Sequence, residues 1–225
     1  MANLYIIGTP IGNLRDITKR ALDILKSADL VLCEDTRVTQ RLLGRYEIKT
    51  KTISYHQHSK LKKVNYILSL LRQGKILALV SDAGTPGVSD PGNKLIEAVV
   101  EEFGDKTKII PVPGPSALIA AASVSGFPMD KFSFLGFPPH KKKRKKFFEE
   151  VIESKYPTIL YESPYRILRT LEEIKLAAEK RGFEVKIAVC RELTKKFETI
   201  YRGKINEIIS KIEKEKPRGE FVIIV

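Results

Sequence analysis

Leu4-Tyr5-Ile6-Ile7-Gly8-Thr9-Pro10-Ile11-Gly12-Asn13 runs four large apolar residues straight into a loop of glycine and proline. The pattern recurs where residues 76–80, Ile-Leu-Ala-Leu-Val, lead into Ser81-Asp82-Ala83-Gly84-Thr85-Pro86-Gly87, and where residues 109–112 lead into Pro113-Gly114-Pro115-Ser116. Apolar runs this short, bounded by turn residues, read as buried strands. Residues 30–33 and 51–54 add two more. Between the first two strands Ile17, Ala21, Ile24, Leu25 and Ala28 recur at helical spacing, with Asp16 and Thr18 near the start where a cap belongs. Strands alternating with helices predict an α/β fold with a mainly parallel sheet.

Three prolines in five residues, Pro111-Val112-Pro113-Gly114-Pro115, suit no helix or central strand interior and mark a domain boundary. The reading is therefore of two domains, residues 1–113 and 114–225. In the second, a small-residue helix over 116–125 precedes strands at 132–135, 158–161, 185–190, 198–201 and 221–225. Helices are expected around 143–154, 164–180 and 204–213. This half is strand-rich, and a mixed sheet is expected.

The 225 residues are 43% hydrophobic and 30% charged, and 40 Lys plus Arg against 27 Asp plus Glu leave a net charge of +13. That composition excludes a disordered tail protein. Two cysteines, Cys33 and Cys190, end apolar runs and are too few for a disulfide scaffold or a zinc site, so a reducing cytoplasm is expected. No apolar run approaches the length of a membrane span, and the N-terminus lacks the basic region of an export signal. Six consecutive cations, Lys141-Lys142-Lys143-Arg144-Lys145-Lys146, repel one another and point to an anionic partner such as nucleic acid, or to a solvated loop.

The loops at strand ends are where chemistry is expected, because ligands of open α/β sheets bind outside the carboxyl ends of strands. The first loop is neither GxGxxG nor GxxxxGK[ST], and Pro10 removes an N–H that a phosphate cradle would use, which disfavours ATP and dinucleotides. Its carbonyls suit a ligand with a positive centre and polar edges. The eleven residues of 81–92 that follow Ser81 hold Asp82, Asp90, three glycines and two prolines, more turn chemistry than a connection needs. A third metal ligand is missing, so no metal is expected there. Glu34-Asp35-Thr36-Arg37 places two carboxylates beside a guanidinium; equally, it fits an acidic helix start with a surface ion pair. Tyr55-His56-Gln57-His58 has two histidines but no matching ligands, which fits an RNA-facing edge or a plain surface loop better than zinc. Neither a nucleophile elbow nor an activated cysteine is present.

Together, residues 4–14, Glu34-Asp35-Thr36-Arg37, residues 81–92 and 111–117, and Tyr161-Glu162-Ser163-Pro164-Tyr165-Arg166 resemble the ribosomal RNA small subunit methyltransferase I family, within the tetrapyrrole-methylase-like class of S-adenosylmethionine (SAM) enzymes. The resemblance runs nearly the whole chain in order. It implies a two-domain α/β fold, a homodimer, SAM in the cleft between domains, and methyl transfer to the ribose 2′-oxygen of a cytidine in the decoding region of 16S rRNA. By position it implies SAM contacts from Pro10, Asp82, Ala83, Gly84, Gly87, Ser116, Ala117, Tyr161 or Glu162, and the backbone near Leu193. Tetrapyrrole relatives carry Gly-Gly-Asp-Pro where this chain has Asp82-Ala83-Gly84-Thr85, a departure that points away from a macrocycle substrate.

A ribose hydroxyl is a weak nucleophile, so transfer needs alignment, able to supply about 7 to 11 kcal/mol of the barrier, and a proton acceptor. Asp35 and Glu34 are the first candidates and His56 the next. Arg37 and the run from Lys141 to Lys146 are the candidate RNA contacts, to 16S rRNA or the small ribosomal subunit around a splayed nucleotide. The alternatives are a SAM enzyme for a tetrapyrrole-type small molecule and a non-catalytic RNA-binding module. The basic run opposes the first; the intact loops oppose the second.

Overall fold

The apolar runs form two sheets in the computed structural model, which describes residues 2–56 and 61–225. The chain divides into two units, Met1–Ser116 and Ala117–Val225. In the first, β1 (Asn3–Ile7), β2 (Leu30–Cys33), β3 (Thr52–Ser54), β4 (Ile76–Val80) and β5 (Lys108–Val112) lie in the order β3-β2-β4-β1-β5. All four pairings are parallel.

Period-two alternation divides the side chains of this sheet between two cores. Val31, Cys33, Ala78 and Val80 pack with Ala21 and Leu25 of α1 (Lys19–Ser27) and Leu42 and Leu43 of α2 (Thr36–Arg45). Leu30, Leu32, Leu77 and Leu79 pack with Ile67 and Leu71 of α3 (Leu61–Arg72) and Leu95 and Val99 of α4 (Asn93–Phe103). Both faces are covered, which is why β2 and β4 read as continuous apolar runs. Each fully buried Leu, Ile or Val stabilises the unit by about 1.5 to 3 kcal/mol. Thr18 is the cap foreseen for α1, its hydroxyl accepting from the Ala21 N–H at 3.1 Å.

The second unit orders its strands β6 (Ser133–Gly136), β7 (Thr158–Glu162), β10 (Phe221–Ile224), β8 (Lys186–Arg191), β9 (Thr199–Lys204). β6 and β7 are parallel and the other pairings antiparallel, a mixed sheet as expected. One face packs on α6 (Arg144–Glu153), α7 (Ile167–Glu179) and α8 (Ile205–Lys214). Against β7, β8 and β10 lies α5 (Ala117–Ser125), Ala-Leu-Ile-Ala-Ala-Ala-Ser-Val-Ser, short side chains that let it approach the sheet closely. Arg202 of β9 donates from Nε to the Val124 carbonyl at 2.8 Å, satisfying one of the orphan acceptors at the end of α5.

Cys33 and Cys190 are free and buried, and burial pushes both thiols up, Cys190 to about 11. Neither is a nucleophile at neutral pH. Among the described residues no helix is long and apolar enough to cross a membrane, and no cluster of three His, Cys, Asp or Glu side chains could hold a metal ion.

One member of the basic run departs from the expectation that all six face RNA. Arg144 is 3% exposed. Its guanidinium donates to Glu173 Oε2 from Nε at 2.7 Å, to the Pro139 carbonyl from Nη1 at 2.6 Å and to Thr170 Oγ1 from Nη2 at 2.9 Å. Sequence reading treats six adjacent cations alike; the helix that begins at Arg144 turns this one inward, where its fork meets three acceptors. Arg144→Ala leaves Glu173 with Arg169 alone and removes the donors to the Pro139 carbonyl and to Thr170, and a urea titration is expected to give a stability loss of about 2 kcal/mol.

Candidate active site

Four loops leave the carboxyl edge of the parallel sheet, after β1, β2, β4 and β5, and the backbone itself joins them. Gly8 N–H donates to the Val112 carbonyl at 3.1 Å, carrying the β1–β5 ladder one step beyond the strands. There Gly8 and Gly114 meet back to back. A Cβ on Gly8 would lie 2.8 Å from the Gly114 Cα, and one on Gly114 would lie 2.6 Å from the Gly8 oxygen. Backbone atoms are the obstacle on both sides, so no side chain can rotate away to make room.

The β1 and β4 loops are joined as firmly. Thr9 and Gly84 form an isolated antiparallel bridge, Thr9 N to Gly84 O at 2.8 Å and Gly84 N to Thr9 O at 3.0 Å. Buried Thr9 also donates its hydroxyl to the Ser81 carbonyl at 3.0 Å, and the Ser81 hydroxyl donates to the Ala83 and Gly84 carbonyls. Gly84 has a φ of +80°, a conformation that L side chains seldom adopt. Farther along, Asn93 of α4 donates to the Gly87 carbonyl at 3.1 Å and closes the loop on itself.

The β2 loop joins through Asp82, whose Oδ1 accepts the Asp35 N–H at 2.9 Å. Asp35 caps α2: its Oδ1 accepts the Arg37 N–H at 2.8 Å, and its carboxylate accepts from Arg37 Nε and Nη2, the latter at 2.5 Å. These bonds from Arg37 hold the Asp35 carboxyl well below its usual range, at about 2. Both readings of Glu34-Asp35-Thr36-Arg37 meet here, since a helix cap and ion pair also lie at a strand's carboxyl edge. An acceptor of such low basicity is a poor proton acceptor, and the Arg37 guanidinium is committed to Asp35. Glu34 is half-buried beside them.

The edge therefore brings together Pro10, Glu34, Asp35, Asp82, Ala83, Gly84 and Gly87, with Ser116 at the end of the β5 loop. His56 is exposed just beyond β3; Gln57 and His58 lie outside the described residues. Residues 8–13, 34–35, 81–92 and 113–116 contain no cation, Arg37 following in α2, and they carry carboxylates and carbonyls. That donor set fits a ligand with a positive centre and hydroxyls, as SAM has, and it does not fit a polyphosphate.

In the second unit the remaining positions have partners of their own. Glu162 is buried: Oε1 pairs with Arg166 Nη2 at 2.9 Å and accepts the Ser163 N–H at 2.7 Å, while Oε2 accepts from Thr170 Oγ1 at 2.7 Å. Its carboxylate is thus committed within the unit, whereas the half-buried Tyr161 ring packs edge-to-face on Phe134 and Phe137. Ala117 opens α5. Leu193 is buried between Glu192 and Thr194, two non-glycine residues at positive φ, 51° and 66°. Neither strained residue stands out in the sequence, because nothing but the fold imposes their conformation.

Comparison with known proteins follows the same lines. A family model described as "Tetrapyrrole (Corrin/Porphyrin) Methylases" matches residues 3–209. The chain is 44% identical over 226 residues to a protein named ribosomal RNA small subunit methyltransferase I of Thermotoga maritima, covering 100% of this chain and 98% of that one. It is 46% identical over 228 residues to the protein of the same name of Hydrogenobaculum sp., covering 99% and 94%. Among solved structures, a cobalt-precorrin-4 methyltransferase of cobalamin biosynthesis superposes with a TM-score of 0.69 at 21% identity, covering 99% of this chain and 94% of that one. A uroporphyrin-III C-methyltransferase from Thermus thermophilus gives 0.64 at 18%, covering 99% and 93%. These structures share the fold.

Two outcomes test the geometry. Gly8→Ala or Gly114→Ala forces the β1 and β5 loops apart and is expected to cost about 2 to 3 kcal/mol in a denaturant titration, the range of overpacked cores. Asp35, followed by carboxyl NMR, should titrate near 2, and Arg37→Ala should return it toward the ordinary value of about 3.9. Because the folded value is the lower one, the pair's stabilisation is complete above about pH 4 and is lost as the pH falls through about 2.

Proposed function

We propose, from the premise that this chain belongs to the tetrapyrrole (corrin/porphyrin) methylase family, that it is a SAM-dependent methyltransferase of small-subunit ribosomal RNA, acting on the ribose 2′-oxygen of a cytidine in the decoding region. The observation that carries this reading is the graded similarity. The relatives named for ribosomal RNA methylation from Thermotoga maritima and Hydrogenobaculum sp. are 44 and 46% identical over nearly their full length, while the two structures named for tetrapyrrole substrates are 18 to 21% identical. The exposed lysines among residues 141–146 support it, as an anionic polymer would need them and a small acid would not.

SAM, when bound, supplies an activated methyl group on a sulfonium. The chain's part is positioning and proton removal. Pro10, Ala83 and Gly87 offer backbone to the cofactor, and Gly84, whose N–H and carbonyl are taken by Thr9, offers only close approach of its Cα, on loops already fixed by the Thr9–Gly84 bridge, so little ordering is left to do on binding. Asp82 orients the β2 loop through the Asp35 N–H. Of the candidate bases, Glu34 is the first choice, because Asp35 is held at low basicity by Arg37. Its carboxylate takes the proton from the ribose oxygen as the oxygen–carbon bond forms. The proposed assembly is a homodimer in the cytoplasm.

The test is to incubate the protein with radiolabelled SAM and small ribosomal subunits from cells lacking the corresponding methylation, and to identify the labelled nucleoside by mass. Label in 2′-O-methylcytidine is expected; unlabelled RNA despite measurable SAM binding would sink the reading in favour of a small-molecule acceptor. Glu34→Gln should lower kcat about 10²- to 10⁴-fold with the SAM Kd unchanged. An unchanged kcat removes Glu34 as base and moves the role to His56.

A further inference from the structure

β6 and β7 run parallel, so the loops that follow them, Phe137-Pro138-Pro139-His140 and Ser163-Pro164-Tyr165-Arg166, leave the same edge of the second sheet. A buried polar chain fastens the two together. Arg166 Nη1 donates to the Pro138 carbonyl at 3.1 Å and Arg144 Nη1 to the Pro139 carbonyl at 2.6 Å. Behind them Glu162 holds Arg166 and Thr170, and Thr170 accepts from Arg144. Three prolines stiffen what these bonds hold, so the loops are shaped before anything binds.

What the loops present is aromatic and cationic. Tyr165 is 96% exposed and Phe137 is 52% exposed, its ring resting edge-on against Tyr161. Beside them Lys141, Lys142, Lys143 and Lys146 are exposed, and among the described residues none of the four forms a salt bridge. Folding makes little use of these rings and none of these charges.

Resting on the function proposed above, we propose that this edge is a stacking platform for single-stranded RNA, on which bases stack against Phe137 and Tyr165 while the lysines hold the flanking phosphates. Rings on rigid loops among unpaired cations are the combination that single strands require. A duplex hides its base faces and offers such rings nothing to stack on. An apolar protein partner would leave the four lysines without counter-charges. The buried chain from Glu162 to Arg144 then has a purpose, as positioning residues for the two loops.

The chain contains no tryptophan, so Phe137→Trp and Tyr165→Trp each place a single indole on the platform. Titrated with a twelve-nucleotide cytidine-rich single strand, both are expected to lose fluorescence on binding, while the corresponding duplex leaves them bright. Phe137→Ala and Tyr165→Ala should each weaken single-strand binding about tenfold with the salt dependence unchanged. Replacing Lys141, Lys142 and Lys143 with Ala should instead flatten the salt slope by about two. Indoles that stay bright while the strand binds would overturn the platform. So would emission that follows protein concentration without RNA, which would mean that a second copy covers the rings. Methylation of small subunits by the unaltered protein is measured in parallel. If it proceeds while the ring variants bind normally, only the platform fails; if it does not occur while the indoles are quenched, the platform stands and the methylation reading fails.

Discussion

The approach of Gly8 to Gly114 is the constraint on which the first unit's site depends. Two backbones lie too close to admit a single carbon between them, at the point where β1 and β5 have stopped being strands. Parallel strands need no such contact to pair, and extra atoms here would merely splay the loops. What the contact secures is the position of the β1 loop, to which the Thr9–Gly84 bridge ties the β4 loop, and through Asp82 the start of α2 follows. Four segments distant in sequence thus share one rigid edge. Their order is fixed during folding, before any ligand arrives, which lowers the entropic cost of binding.

The second unit achieves the same end by a different chemistry. Its loops are held by charged and hydroxyl groups, Glu162, Arg166, Thr170, Arg144 and Glu173, each with a partner. A buried charge without its counterpart is costly, so the network tolerates few arrangements, and its directional bonds specify the loop shape. Glycine contact serves where backbone must approach backbone. Ion pairs serve where two proline-stiffened loops must stand apart at a set distance and show their side chains outward.

Asp35 illustrates how one residue carries two readings. A carboxylate after a strand is where a catalytic base belongs, and it is also where a helix cap belongs. The cap, the Arg37 fork and the resulting low basicity come from the same geometry. Glu34 shares the location without the guanidinium.

The α/β class, the mainly parallel first sheet, the mixed second sheet and nearly all the strands were legible from apolar runs ending in glycine and proline, because burial of both sheet faces leaves no room for polar residues in those runs. The loops at the carboxyl edge were legible from turn residues in excess of what a connection needs. The sequence by itself could not distinguish Arg144 from its five neighbours, since charge is the same in all six and only the start of α6 sends one side chain inward. Nor could it pair Gly8 with Gly114, or Asp35 with Asp82, because those contacts join segments whose adjacency comes from strand order. Local sequence determined which residues form strands, helices and turns; tertiary structure alone decided which loops touch, because strand pairing brings together groups that are distant along the chain.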